Sequence, residues 1–194
     1  MPAQRLRRNH WRRHTRSFAL LAGAFALAIA AIAAPAGAAT RTYSSGNLSK
    51  TIPAATNGGD SPGGLLTTIN VPDKGHVKDV DAKVRLNYPT SAIDHLYAYL
   101  FSPQGKFVAM NEGSTNAPNM GSGSNSCSGT PTTFNDEATT PIGSAAAPYA
   151  GSFKPFQPLS KMDGQKVKGA WSLFIEGYET ASGKLGCWKL KIKR

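Results

Sequence analysis

His76 and His95 are the two histidines that residues 39–194 offer for proton transfer. A Ser-His-Asp site needs an activated serine beside a general base, with the base held by a carboxylate. The one G-x-S-x-G match, Gly59-Asp60-Ser61-Pro62-Gly63, lacks the strand-to-helix context of a nucleophile elbow, because helical periodicity is nearly absent. His76 follows Asp73-Lys74-Gly75 and reads as an exposed loop residue; His95 opens an apolar run and reads as a satisfied structural histidine. Two histidines also leave a zinc site short of ligands. Glycosidase chemistry needs two carboxylates roughly 5–10 Å apart, and no pair stands out. The densest polar chemistry is Thr132-Thr133-Phe134-Asn135-Asp136-Glu137-Ala138, inside a stretch from Asn111 to Ala150 rich in Gly, Ser, Thr, Asn, Ala and Pro. Cys127 and Cys187 lack the His and Asn/Asp surroundings of a nucleophile. The protein reads as no enzyme on its own.

What positions these residues begins after an export segment. Residues 1–16 hold six arginines and no acid, Ser17 to Ala34 is an apolar run, Pro35 breaks it, and Ala36-Gly37-Ala38 supplies small residues at a cleavage site. That order predicts a secretory signal peptide over residues 1–38, cut after Ala38 or Ala39, and hence a secreted, extracellular product of bacterial type. An uncleaved anchor is the other reading, since about 18 apolar residues just span a bilayer. Arg12-Arg13 lacks the following apolar pair of a twin-arginine signal, so ordinary export is expected. With the six arginines removed, 16 of the 22 Lys and Arg remain against 11 acids, a charge near +5 for residues 39–194 in place of +11. No basic helix or aromatic-basic motif accompanies that charge, so no nucleic acid partner is expected. No membrane association is expected after cleavage.

Residues 39–194 suffice for one domain with a proper core. An even cysteine count in an exported protein favours one bridge, Cys127–Cys187; two free thiols or an intermolecular bond are the alternatives. Closing a loop of about 60 residues would contribute roughly 4 kcal/mol in the chain-entropy picture.

The hydrophobic pattern has period two. Val80, Ala82, Val84, Leu86 and Tyr88 alternate with Asp79, Asp81, Lys83, Arg85 and Asn87, predicting a strand with one wet face. Trp171, Leu173 and Ile175 form another inward row, and Trp188, Leu190 and Ile192 a third. The lysines between the last three are expected on the solvent face of a terminal strand, blunting an edge. From His95 to Phe101 both faces are apolar, Leu96, Ala98 and Leu100 on one and Tyr97, Tyr99 and Phe101 on the other, which predicts a central strand covered on both sides. Ser102-Pro103-Gln104-Gly105 predicts a turn into a partner strand over Lys106 to Met110. Gly64 to Val71 is an earlier strand. Short strands with turn signals between them predict an all-β sandwich, with a long loop over 111–150.

Several segments in register resemble one family. Gly151-Ser152-Phe153-Lys154-Pro155-Phe156-Gln157-Pro158-Leu159-Ser160 is followed by Trp171, then by Gly183, Leu185 and Trp188. His95-Leu96 through Ser102-Pro103-Gln104-Gly105 resembles D-L-x-x-x-L-x-S-P-x-G-T, and Thr132 to Ala138 resembles T-x-F-D-D-E-A. Together they are similar to the P domain (P/Homo B) that accompanies the catalytic domain in kexin- and furin-like proprotein convertases and in bacterial subtilisin-like proteases. The resemblance departs at His95, where the family has aspartate (Asp94 is one residue early), at Lys106 for threonine, at Asn135 for the first aspartate of its loop, and at Glu176 and Ala181 for two aspartates near the end.

The resemblance implies a jelly-roll β-sandwich, galactose-binding-like, over residues 39–194, standing alone behind the signal peptide, with Trp171 and Trp188 in its core. It implies a non-catalytic module that stabilises or inhibits a separately encoded subtilisin-like serine protease. It also implies calcium, for which Asp94, Asp136 and Glu137 are the candidate ligands; calcium takes six to eight oxygens. The same residues can serve instead as turn caps or solvated charges. From a different class, the fold also permits a module that binds carbohydrate or cell-wall polysaccharide. An exposed apolar patch with a polar rim on one sheet face favours the first reading; a groove with exposed Tyr or Trp favours the second.

Overall fold

In a computed structural model, residues 38–88, 96–113 and 119–194 are described. Residues 1–37 of the expected signal peptide, together with Asp94 and His95, lie outside them. Alternation at period two produces eleven strands: β1 (Thr40–Ser44), β2 (Lys50–Ile52), β3 (Gly63–Val71), β4 (Asp79–Asn87), β5 (Leu96–Phe101), β6 (Phe107–Glu112), β7 (Asn119–Met120), β8 (Thr132–Phe134), β9 (Gly151–Phe153), β10 (Gly169–Gly177) and β11 (Gly183–Lys193). Helical structure among these residues is confined to short 3-10 turns.

Two sheets form a β-sandwich. The larger runs β1-β11-β4-β8-β9, with β2 also pairing with β11 and β7 with β4; the smaller runs β3-β10-β5-β6. All pairings are antiparallel except β8 with β9. The inward rows meet between the sheets. Val80, Ala82, Val84, Leu86, Leu190 and Ile192 from one sheet and Leu96, Ala98, Leu100, Leu173 and Ile175 from the other are buried. Trp171 and Trp188 are both fully enclosed, and the Trp171 indole donates to the Val167 carbonyl at 2.8 Å. That bond satisfies a group whose burial would otherwise cost stability.

The hairpin forms as expected: Gly105 N–H donates to Ser102 O and Ser102 N–H to Lys106 O, with Gly105 at φ 79°, where the lack of a Cβ removes the steric penalty. Cys127 and Cys187 form one intramolecular disulfide, 60 residues apart in sequence.

Four expectations are corrected. First, β11 is no edge; it sits between β1 and β2 on one side and β4 on the other, so its lysines do not guard a free edge. Second, the outer row of β4 is only partly wet, because Asp81 and Arg85 are buried. Arg85 lies under residues 120–124 and donates to the carbonyls of Leu86, Met120, Gly123 and Ser124 and to Asn87 Oδ1 at 2.8–3.3 Å. Third, residues 119–150 are not a structureless loop: β7, β8 and the 3-10 turn Ile142–Ser144 lie within them. Fourth, β5 is fully enclosed on one face only; Tyr97, Tyr99 and Phe101 on the other are half-buried.

Candidate functional site

β5 carries apolar residues on both faces, and its neighbours β10 and β6 add more on the same outer side. The consequence is a band of aromatic rings across the smaller sheet. Tyr97 stacks near Tyr99 at 6.4 Å between ring centroids, Tyr99 near Phe174 at 6.2 Å, and Phe107 bridges Tyr99 and Phe101 at 6.4 and 5.6 Å. Tyr178 meets Tyr97 at 5.5 Å. Leu66 lies beside Phe174 in the β3–β10 register, and the Phe174 ring rests over Gly64, where any Cβ would crowd it. Leu66 is 62% exposed and Phe107 53%. The rim is polar: Thr68 and Ser172 share a hydrogen bond at 3.1 Å, and Glu176 and Glu112 stand opposite Tyr97 in its two strand registers. Burial, then Glu176 and Glu112, push the Tyr99 phenol above its ordinary pKa. Isolated apolar residues on a surface are normal; a contiguous aromatic face with a polar rim has the composition of a protein-interaction surface.

A second constellation lies at the far end of the other sheet. The β4–β8 register pairs Ala82 with Phe134, so the backbone leaving β8 runs back alongside Asp81 and Asp79. Asn135 Oδ1 accepts the Glu137 N–H at 2.7 Å and fixes the turn there. Carboxylate oxygens of Asp79, Asp81 and Glu137 consequently lie within 4.8 Å of one another. Asp81 is 3% exposed; its Oδ2 receives Lys191 Nζ at 2.9 Å, and its buried Oδ1 has no hydrogen-bond partner among the described residues. Burial, then Asp81 and Glu137, hold the Asp79 carboxyl above its ordinary pKa. Asp163 is likewise raised by burial, then by Asp136 and Glu137. The Asp81 hydrogen bond and charge raise Lys191.

The calcium candidates separate within this corner. Glu137 joins Asp79 and Asp81. Asp136 is committed to the backbone, its Oδ1 and Oδ2 accepting the N–H groups of Leu159 and Ser160 at 2.8 and 2.7 Å and so capping the 3-10 turn Leu159–Met162. Asp94 is outside the described residues. Hard oxygen donors, an unpartnered buried carboxylate oxygen and mutual repulsion suit a divalent cation, although Lys191 already supplies one positive charge. Asp79 and Asp81 are legible in the sequence only as the polar row of a strand; their meeting with Glu137 depends on the β4–β8 pairing, for which the sequence holds no local signal.

No protein-family model matches the sequence, and no curated protein matches it. Among solved structures the fold is similar to the serine protease of Aeromonas sobria and to the complex of that protease (ASP) with its chaperone (ORF2). Each is 16% identical, with a TM-score of 0.41 over 80% of this protein. The match spans 26% of the length of those neighbours. Likeness at this level assigns neither family nor activity.

Of the remaining aromatics, Tyr149 is buried, and Phe153 packs edge-on against it at 6.3 Å. Phe156 is 54% exposed in the segment that carries Lys154, Pro155 and Pro158, between two shallow depressions. His76 is exposed and lies in an isolated bridge with Lys166, and it belongs to neither constellation.

Proposed function

We propose that the protein is a secreted, non-catalytic P-domain module that docks on a subtilisin-like serine protease through the aromatic face of β3-β10-β5-β6. The observation that carries this reading is that face. A fold that needed this face for its own core would enclose it, yet Leu66 and Phe107 are more than half exposed and Tyr97, Tyr99, Phe101 and Phe174 are only half-buried. Tyr and Phe are enriched at the cores of protein interfaces, where they bury large areas at low entropic cost. The rings pack on one another along the outer side of one sheet, Tyr97 on Tyr99 and Tyr99 on Phe174, which favours a protein partner over a stacked sugar. The type of partner comes from the motif resemblance, chiefly the segment from Gly151 to Ser160 with Trp171 and Trp188 behind it.

Calcium belongs to the proposal as a stabilising ion held by Asp79, Asp81 and Glu137. These carboxylates would supply part of a six- to eight-oxygen shell.

The test is capture. Secreted protein, immobilised, is exposed to culture supernatant of its native host in which serine hydrolases carry a fluorophosphonate label. The expected result is retention of a labelled subtilisin-like protease. Retention of none, with sedimentation of the protein on cell-wall polysaccharide, would support the carbohydrate-binding alternative.

A further inference from the structure

The opposite face of the molecule breaks a local charge rule. Along β11, Lys191 and Lys193 stand across from Asp81 and Asp79, so each lysine faces a carboxylate. Lys189, next in the same row, stands across from Lys83. Like charges directly opposed on neighbouring strands destabilise a sheet. Both lysines are half-buried, and no described carboxylate pairs with either. Lys189 Nζ donates to the Cys127 carbonyl at 3.3 Å. Beneath them the Arg85 guanidinium adds a third positive charge, buried, bound to carbonyls and Asn87, and paired with no described acid. These cations line a cavity of about 230 Å³ whose other walls are the Cys127–Cys187 disulfide, Ser126, Gly129, Pro131 and Thr42.

We infer that this cavity binds a carboxylate borne by a polypeptide, either the side-group carboxylate of Asp or Glu or a free carboxyl terminus. An anion placed between Lys83 and Lys189 would convert their repulsion into two charge-assisted contacts. The Thr42 hydroxyl is at hand as a further donor. Pro131 and the disulfide offer apolar surface for the short aliphatic stem behind a carboxylate. No aromatic ring lines the cavity, so a sugar ring has nothing to stack on. The nearest loop amides do not form a phosphate cradle, because Cys127 N–H donates to Asn47 Oδ1, Ser128 N–H to Ser126 Oγ and Gly129 N–H to Ser126 O. The disulfide and Arg85 hold the walls in place before any ligand arrives, which lowers the ordering cost of binding. This inference does not depend on the aromatic face, which lies on the other sheet.

The test is an amide-resolved NMR titration of the secreted protein at low salt. The probes are acetyl-Gly-Glu-amide, acetyl-Gly-Gly with a free carboxylate, acetyl-Gly-Gly-amide, glucuronate and sulfate. The expected result is saturable shifts at Thr42, Cys127 and Gly129 with one or both peptide carboxylates, weakened by salt and absent with the neutral amide. The stronger of the two carboxylate probes tells an acidic residue from a carboxyl terminus. Binding should fall at least about tenfold in Lys83→Met and Lys189→Met. Lys83→Glu should abolish binding and raise Tm by about 1–3 °C, because it pairs with Lys189. Equal shifts from the neutral amide, glucuronate or sulfate would overturn the inference, as would binding unchanged in the Met variants or a lower Tm in Lys83→Glu.

Discussion

At the scale of single residues, two carboxylates respond to pH in opposite senses. Asp73 accepts the Tyr43 hydroxyl at 2.7 Å and the cations of Arg194 and Arg41 at 3.2 Å, and the Tyr43 bond, then those cations, hold its pKa below the ordinary value. A lowered carboxylate contributes stability above its unfolded pKa and loses it as pH falls through the folded one. Asp79 is raised, so its favourable contribution exists below the unfolded pKa and is lost as pH rises through the folded value. At neutral pH Asp79 therefore costs stability that a proton or a divalent cation would return. Asp79→Asn is expected to raise Tm in calcium-free buffer at pH 7 and to remove the increment that calcium gives the wild type. Calorimetry with and without chelator checks this; an equal calcium increment in both proteins would remove Asp79 from the site. In the wild type that increment should shrink as pH falls from neutral towards the carboxylate range, because the raised Asp79 and Asp163 take up protons before ordinary carboxylates do. Tyr43 is held up to about 12, chiefly by burial and by the Asp73 bond. Its contribution is complete below pH 10 and is lost towards pH 12. Tyr43→Phe should cost about 1 kcal/mol at neutral pH in urea unfolding. Asp136 and Glu137 are readable in the sequence as chemistry, but their separate duties are not. Adjacent residues in a turn diverge, and only the positions of β4 and the Leu159–Met162 turn decide which backbone or carboxylate each meets.

At the scale of elements, the period-two rows locate the main strands because burial on one face leaves the same trace in any sheet. Rows do not reveal which strand neighbours which, and that is why the pattern alone puts β11 at an edge. The buried state of Arg85 is also hidden from it. A polar residue on an outer row is enclosed only if another segment folds over it, and here the segment of residues 120–124 does so by offering carbonyls to one guanidinium. Arg85→Ala should leave those carbonyls unpaired and cost upwards of about 3 kcal/mol, read in urea unfolding, with early loss of hydrogen-exchange protection at Gly121 and Ser122. Reduction of the Cys127–Cys187 bridge should lower stability by about 4 kcal/mol in the chain-entropy picture. Both faces of β5 are legible as apolar, but not what covers them: pattern reports that a face is apolar, never whether the protein itself supplies the cover.

At the scale of the whole molecule, the sandwich buries one apolar surface between its sheets and leaves another, built on β3, β10, β5 and β6, turned outward. The two should answer differently to truncation. Trp171→Ala should cost about 3–5 kcal/mol, as core truncations do. Leu66→Ser and Phe107→Ser should each change stability by less than about 0.5–1 kcal/mol, checked by urea unfolding, because at over half exposure they contribute little to folding. On the proposed function, this outward aromatic face is the surface that meets the partner. The most direct measurement of that claim is the affinity of the captured serine protease for wild-type protein and for the Leu66→Ser/Phe107→Ser double variant, by calorimetric titration, with Lys50→Ser on the opposite sheet as the control. A loss of at least about tenfold in the double variant, with the control unchanged, is the predicted result. Equal affinity in the wild type and the double variant would contradict the account and remove the aromatic face as the docking surface.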